Sequence, residues 1–263
     1  MAAAPERVES GLWLAGPREL LLPITVMACF TLYYFAEQPW WVVASVALPM
    51  VSLYALAPVW AARSLSSFDR DLVRLLSTGR RARLPGRYAR ALGMRMFAPQ
   101  AVRAERRAVV AAENGHVAEA RADYRAALRE HGSRAPLRVL LGYAHACYTL
   151  SDDAEAIRIY RELLDQAGSL PGVRRNLAHA LVRRGDSLRE ALELIDRDAQ
   201  HEAGAERQAE CDLLRAVAHA KLGERERACE LAERTGSAEG DVAAALRIEL
   251  QRALDGSSSA RPA

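Results

Sequence analysis

The sequence predicts an all-α protein in two parts: a hairpin of two apolar helices near the N-terminus, then a regular stack of helix pairs closed by one last helix. Three observations predict it. Two long apolar runs, 20–36 and 40–62, stand back to back. The remainder is rich in Ala, Leu, Arg and Glu, all strong helix formers, and poor in β-branched stretches with strand alternation. From residue 101 onward, small residues return at a near-constant interval.

The two apolar runs are parted only by Glu37, Gln38 and Pro39 and contain no Lys, Arg or Asp. At a rise of roughly 1.5 Å per residue each is about 25–35 Å long, against a hydrocarbon core of about 30 Å. A backbone in lipid must satisfy its own polar groups, so the expectation is a transmembrane helical hairpin over 20–62, with spans 20–36 and 40–62 after an N-terminal tail of residues 1–19. A cleaved signal peptide fits less well: the leader is not basic, the first run is long, and a second follows at once. Trp13, Trp40, Trp41 and Trp60 fit the aromatic belts of a membrane interface. Pro23 is expected in the first turn of the first span and Pro49 is expected to kink the second.

The net charge of +3 hides an uneven split. Residues 63–107 hold twelve arginines against three acids, while the segments on either side are acidic. The turn between the spans has no Arg, whereas Arg63, Arg70, Arg74, Arg80, Arg81 and Arg83 crowd the exit of the second. By the positive-inside rule both termini and the large C-terminal domain face the cytoplasm, in what reads as a bacterial inner membrane.

Residues 63–100 read as a basic juxtamembrane helical linker. Within it Leu65, Phe68, Leu72, Leu75 and Leu76 share one helical face. Two readings stay open. The helix lies on the membrane with Arg63, Arg70, Arg74, Arg80, Arg81 and Arg83 on anionic headgroups, or it packs under the next domain with its arginines solvated. Nucleic acid is not an expected partner: no stacking aromatics are interleaved with the arginines and no binding motif is present. Residues 80–86, with Pro85 and Gly86, read as a connector.

Past residue 101 the repeat emerges. Ala120, Ala156, Ala191 and Ala228 are spaced by 36, 35 and 37 residues. The first unit, 101–134, has Ala108, then Asn114-Gly115 at its inner turn, then Ala120, Tyr124 and Ala127. The second, 137–170, opens near Pro136 and has Ala144, Leu150, Ala156, Ile157 and Tyr160. The third, 171–205, opens at Pro171 and has Asn176-Leu177-Ala178, Leu181, Gly185, Ala191 and Leu192. The fourth, 209–236, has Ala216, Leu222-Gly223 and Ala228. Small residues let paired helices approach, and stacking buries a core no single unit provides. One extra residue falls near Ser187, where Ser187 and Glu190 form a capping-box pattern. A last helix over 241–255 is capped by Asp241, stopped by Gly256, and followed by a disordered Ser-rich tail, 256–263.

Over 101–235 the chain resembles the tetratricopeptide repeat (TPR) family. That resemblance implies a right-handed α-solenoid of about four TPR-like helix pairs with a C-terminal capping helix. It also implies a concave groove, lined by the first helix of each pair, that holds a peptide. Carried over residue by residue, the groove presents Arg106, Arg138, His145, Tyr148, Arg175, Asn176, His179 and Arg183, with Lys221 from the fourth unit. Arg175, Asn176 and His179 are similar in character, though not in pattern, to the Lys and Asn side chains with which some family members clamp a C-terminal carboxylate. Arg forks bind carboxylates bidentately, which points to an acidic or carboxylate-bearing peptide.

Chemistry is not expected. The catalytic, Walker and dinucleotide motifs are absent from the sequence. The cysteines Cys29, Cys147, Cys211 and Cys229 have neither metal-site nor disulfide-framework spacing and read as buried free thiols. The expectation is therefore no enzyme, no catalytic residue, no metal, no cofactor and no small-molecule substrate. What remains is a scaffold or adaptor, integral through two spans, that binds a protein or peptide partner at the cytoplasmic membrane face. The alternative is a structural subunit of a membrane or envelope-biogenesis complex, with the hairpin making the specific contacts.

Overall fold

The structure is a computed structural model that describes residues 17–34, 39–168, 172–199, 204–235 and 240–259; these are helical, with no strand among them. Trp13, most of the tail 1–19, the Glu37-Gln38 turn and Pro171 lie outside the described residues. The chain divides into two compact units, Met1–Val139 and Leu140–Ala263.

In the first unit, α1 (Pro17–Tyr34) packs against α2 (Trp40–Ser77). The start at Pro17 puts Pro23 in the second turn of α1, one turn later than expected. Helix α2 is a single helix of 38 residues that passes through Pro49, Pro58 and the expected boundary at residue 62. Nothing between Ala61 and Ser77 breaks a helix, so the hydrogen-bond ladder simply continues. The helix ends at Gly79, whose φ of 68° lets the Arg80 N–H reach back to the Leu75 carbonyl at 2.9 Å.

After a 3-10 turn at Arg81–Arg83, α3 (Leu84–Arg90) and α4 (Leu92–Phe97) fold back onto α2. The expected connector 80–86 is therefore that turn plus the start of α3. Phe68, Leu84, Ala91, Met94, Ala98 and Val110 form a buried core, flanked by Leu65, Leu72, Leu75 and Leu76. This decides between the two readings of residues 64–79, against the one that lays them on a membrane. Their apolar face is covered by protein, because the chain supplies a matching apolar face at Leu84, Ala91, Met94 and Ala98. Gly93 permits the crossing. A Cβ there would lie 3.0 Å from the Trp60 carbonyl oxygen and 3.1 Å from the Ser64 Cβ. One turn on, the Phe97 and Trp60 ring centroids stand 5.5 Å apart.

α5 (Gln100–Glu113) and α6 (Val117–His131) form the first helix pair, joined where Gly115 takes a φ of 82°. A 3-10 turn, Gly132–Arg134, leads to α7 (Leu137–Thr149), whose residues from 140 on belong to the second unit.

That unit continues with α8 (Asp153–Ala167), α9 (Val173–Arg184), α10 (Leu188–Ala199), α11 (Ala205–Lys221), α12 (Arg225–Arg234) and α13 (Asp241–Ser259). From α8 to α12 each helix packs on the next, and α11 also touches α9 and α13. The small-residue periodicity has a plain physical outcome. Ala108, Ala144, Ala178 and Ala216 of the first helices, and Ala120, Ala156, Ala191 and Ala228 of the second, all have 0% exposure. Tyr124, Tyr160 and Ile195 fill the buried space beside them.

Local capping differs from expectation at two places. Ser187 sits at φ 51°, a left-handed conformation rather than the extended one of an N-cap, and Glu190 accepts from Arg161 at 2.7 Å instead of closing a capping box. α13 begins with Gly240 at the capping position and Asp241 already helical, and it runs through Gly256 to Ser259, where a stop and a tail were expected. One glycine costs a helix only about 1 kcal/mol, too little to end it. Cys147 and Cys211 are buried as expected, but Cys229 is exposed.

Candidate partner-binding surface

In the second unit the structure brings Tyr148, Arg175, His179 and Arg183 together where α7 meets α9. Arg183 is the centre. Its guanidinium lies 4.0 Å over the Tyr148 ring, donates to the Tyr148 carbonyl oxygen at 2.5 Å, and forks onto Asp153 through Nε at 2.8 and 2.9 Å. Burial opposes the Arg183 charge, yet its hydrogen bonds to Asp153 hold its pKa above the ordinary value. Burial also raises the Tyr148 phenol, against the opposing pull of Arg183.

His179, one turn before Arg183, is pushed down to about 4, first by burial and then by the charges of Arg175 and Arg183. It is a neutral imidazole at physiological pH. Asn176 is half-buried beside the Tyr160 phenol. His145 is exposed one turn before Tyr148 on α7, its carbonyl bonded by the Thr149 hydroxyl.

The same end of the unit carries a second tie of the same design. Lys221, the last residue of α11, donates to the Val182 carbonyl at 2.7 Å and to Glu249 of α13 at 2.6 Å. A basic side chain of α9 thus bonds a carbonyl at the end of α7, and one of α11 bonds a carbonyl at the end of α9. A cation is favoured at each of these sites by the exposed carbonyl dipoles of a helix C-terminus. Between these ends lies a recess of about 770 Å³ with Arg183, Lys221, Glu249 and Arg252 in its walls.

The first unit uses its expected groove arginines internally. Glu105 is 2% exposed and is held by Arg106 at 2.6 Å and Arg138 at 2.6 Å. Arg106 also forks onto Asp69 of α2 at 2.7 and 3.0 Å. A carboxylate buried this deeply requires such partners, so Arg106 and Arg138 are committed to Glu105. Burial opposes the Arg106 charge, but Asp69 and Glu105 keep its pKa above the ordinary value. The Tyr124 phenol is raised to about 12, chiefly by burial and then by the Glu105 charge.

Sequence reasoning assigned the arginines but missed the acids that hold them: Asp69, Glu105, Asp153 and Glu249. Asp153 carried a signal, since it follows the Asp152 that caps α8 by accepting from the Glu155 N–H. Asp69 and Glu249 carried none, because their partners are 37 and 28 residues away, and Glu105 joins its neighbour Arg106 to Arg138, 33 residues on.

The six expected headgroup arginines do not form one patch. All are exposed, but Arg63 and Arg74 stand on one helix about 16 Å apart along its axis. Arg81 pairs with Glu113 at 3.4 Å, and Arg70 donates to the Ser66 carbonyl. Among the described residues no group of three or more His, Cys, Asp or Glu is placed to hold a metal ion.

No family model matches the chain, and no curated protein matches it. Among solved structures it is similar to one reported as a functional characterization of Pseudomonas aeruginosa pilF, at 15% identity and a TM-score of 0.49, over 88% of this chain and 99% of that one. At that distance the likeness carries no functional argument.

Proposed function

We propose that this chain is a membrane-anchored scaffold whose TPR-like helix pairs hold a protein or peptide partner at the cytoplasmic face of a bacterial inner membrane. Its spans, 20–36 and 40–62, place both termini and the helix pairs on the cytoplasmic side. It acts without catalysis, by raising the local concentration of its partner beside the bilayer.

The observation that carries the binding reading is the cluster of Tyr148, Arg175, His179 and Arg183, in which the Arg183 guanidinium lies over the Tyr148 ring. A guanidinium held in place, as Arg183 is by Asp153, loses little entropy when an acidic segment docks. The anchoring reading draws support from α2. It is the described helix that is long and apolar enough to cross a membrane by length and composition. Its Trp40, Trp41, Leu48, Val51 and Leu56 are each at least 60% exposed.

The test is capture of partner from a detergent extract by the full-length chain. Arg175→Glu and Tyr148→Ala are expected to abolish capture with helicity unchanged. Arg183 is the wrong position to reverse, because a glutamate there would face Asp153. Undiminished capture by both variants would remove this surface from consideration.

A further inference from the structure

The C-terminal end of α2, the 3-10 turn after it and α3 enclose a recess of about 730 Å³ in the first unit. Five guanidinium groups line it, from Arg74, Arg80, Arg83, Arg87 and Arg90, against one carboxylate, Asp71. Asp71 is taken up by Arg87, which also donates to the Ser67 hydroxyl at 2.7 Å. Arg74, Arg80, Arg83 and Arg90 have no carboxylate partner among the described residues. Four positive charges therefore share one recess without compensation from the protein.

Helix termination does not account for them. The last carbonyls of α2 are already bonded by the Thr78, Gly79 and Arg80 N–H groups and by the Thr78 hydroxyl at 2.8 Å. Nor do these arginines belong to the apolar core, which Leu84, Met94 and Tyr88 form with Phe68. Elsewhere in the first unit Arg106, Arg107 and Arg138 each have an acidic partner, whereas these four converge on one recess.

We propose that this recess binds a phosphate-bearing anion of two or more negative charges. Guanidinium forks match phosphate oxygens bidentately, and several converging on one recess suit a dianion better than a single carboxylate. No aromatic side chain lines the recess, so it offers no stacking platform for a base. The ligand chemistry is thus phosphate itself, carried by a free diphosphate-type anion or by a phosphomonoester lipid headgroup. This inference is independent of the partner surface in the second unit.

The test uses the full-length chain in neutral detergent. Calorimetric titration with inorganic pyrophosphate reads the free anion. Titration with dioctanoyl phosphatidic acid, with dioctanoyl phosphatidylcholine as control, reads the headgroup. The double variant Arg74→Glu/Arg83→Glu is expected to weaken binding at least about tenfold, because it removes two charge-assisted contacts. Arg80→Gln/Arg90→Gln weakens it without reversing charge. The charge-matched Arg129→Glu/Arg189→Glu, at two exposed arginines far from the recess in sequence, leaves it unchanged. Saturable binding of pyrophosphate alone assigns the free anion, and of phosphatidic acid alone the headgroup; either supports the site. Binding of neither probe, or equal weakening by the charge-matched control, overturns it.

Discussion

The two halves of α2 differ in composition and meet opposite fates. Through residues 40–62 the helix is apolar on nearly every side, and Leu48 is 72% exposed. From residue 63 to Ser77 the leucines and Phe68 share one stripe, serines and charged residues take most of the rest, and Phe68 is 0% exposed. The stripe finds protein: α3 and α4 cover it, tied down by Arg87 on Asp71 and by Arg106 on Asp69. The all-round apolar half is covered on one side by α1 and near its end by Gly93 and Phe97 of α4, while Leu48, Val51 and Leu56 stay exposed among the described residues. Helix amphipathicity thus marks where the chain supplies its own partner.

The largest test of that contrast is a pair of truncations. Phe68→Ala should cost about 3–5 kcal/mol of stability, the range for emptying a packed aromatic site. Leu48→Ala should cost less than about 0.5 kcal/mol, as an exposed site does. Thermal unfolding of both variants in one detergent makes the comparison, and equal losses would erase the distinction between the halves.

A second test carries the idea of internal satisfaction to α9. Unfolded His179 titrates near its ordinary 6.5 and folded His179 near 4, so the unfolded state binds more protons between those values. Stability is whole above pH 6.5 and falls as the pH drops toward 4, by roughly 2 kcal/mol at about pH 5. His179→Gln should remove that part of the pH dependence. A urea midpoint that shifts between neutral and acid pH as much in the variant as in the parent would disprove the assignment.

Two smaller effects sharpen the picture. Gly93→Ala gains helix propensity but presses a methyl group against the Trp60 backbone. The net loss should be about 1 kcal/mol, read as a lowered Tm. Arg81→Ala removes only an exposed pair with Glu113 and should change stability by less than about 0.5 kcal/mol. A larger loss would mean that the 3-10 turn depends on that pair.

Much of the architecture was legible because it rests on local period and residue size. Ala120, Ala156, Ala191 and Ala228 could be placed at helix contacts by spacing alone, and all are fully buried. The single length of α2 was not legible, since apolar content falls at residue 63 while helix propensity does not. The ion pairs were not legible either. Arg106, Arg138 and Arg183 look like groove residues in a helical projection, and only the fold shows Asp69, Glu105 and Asp153 beside them. The unexpected helix at 256–259 is a failure of a local rule: a lone glycine does not stop a helix whose preceding turns still propagate.

The proposal rests most heavily on lipid as the missing cover for residues 40–62, and alkaline carbonate extraction of membranes from cells making the full-length chain tests it most directly. The chain should stay in the membrane pellet and leave it only with detergent. Recovery of the intact chain in the carbonate supernatant would contradict the anchor, and with it the proposed place of action.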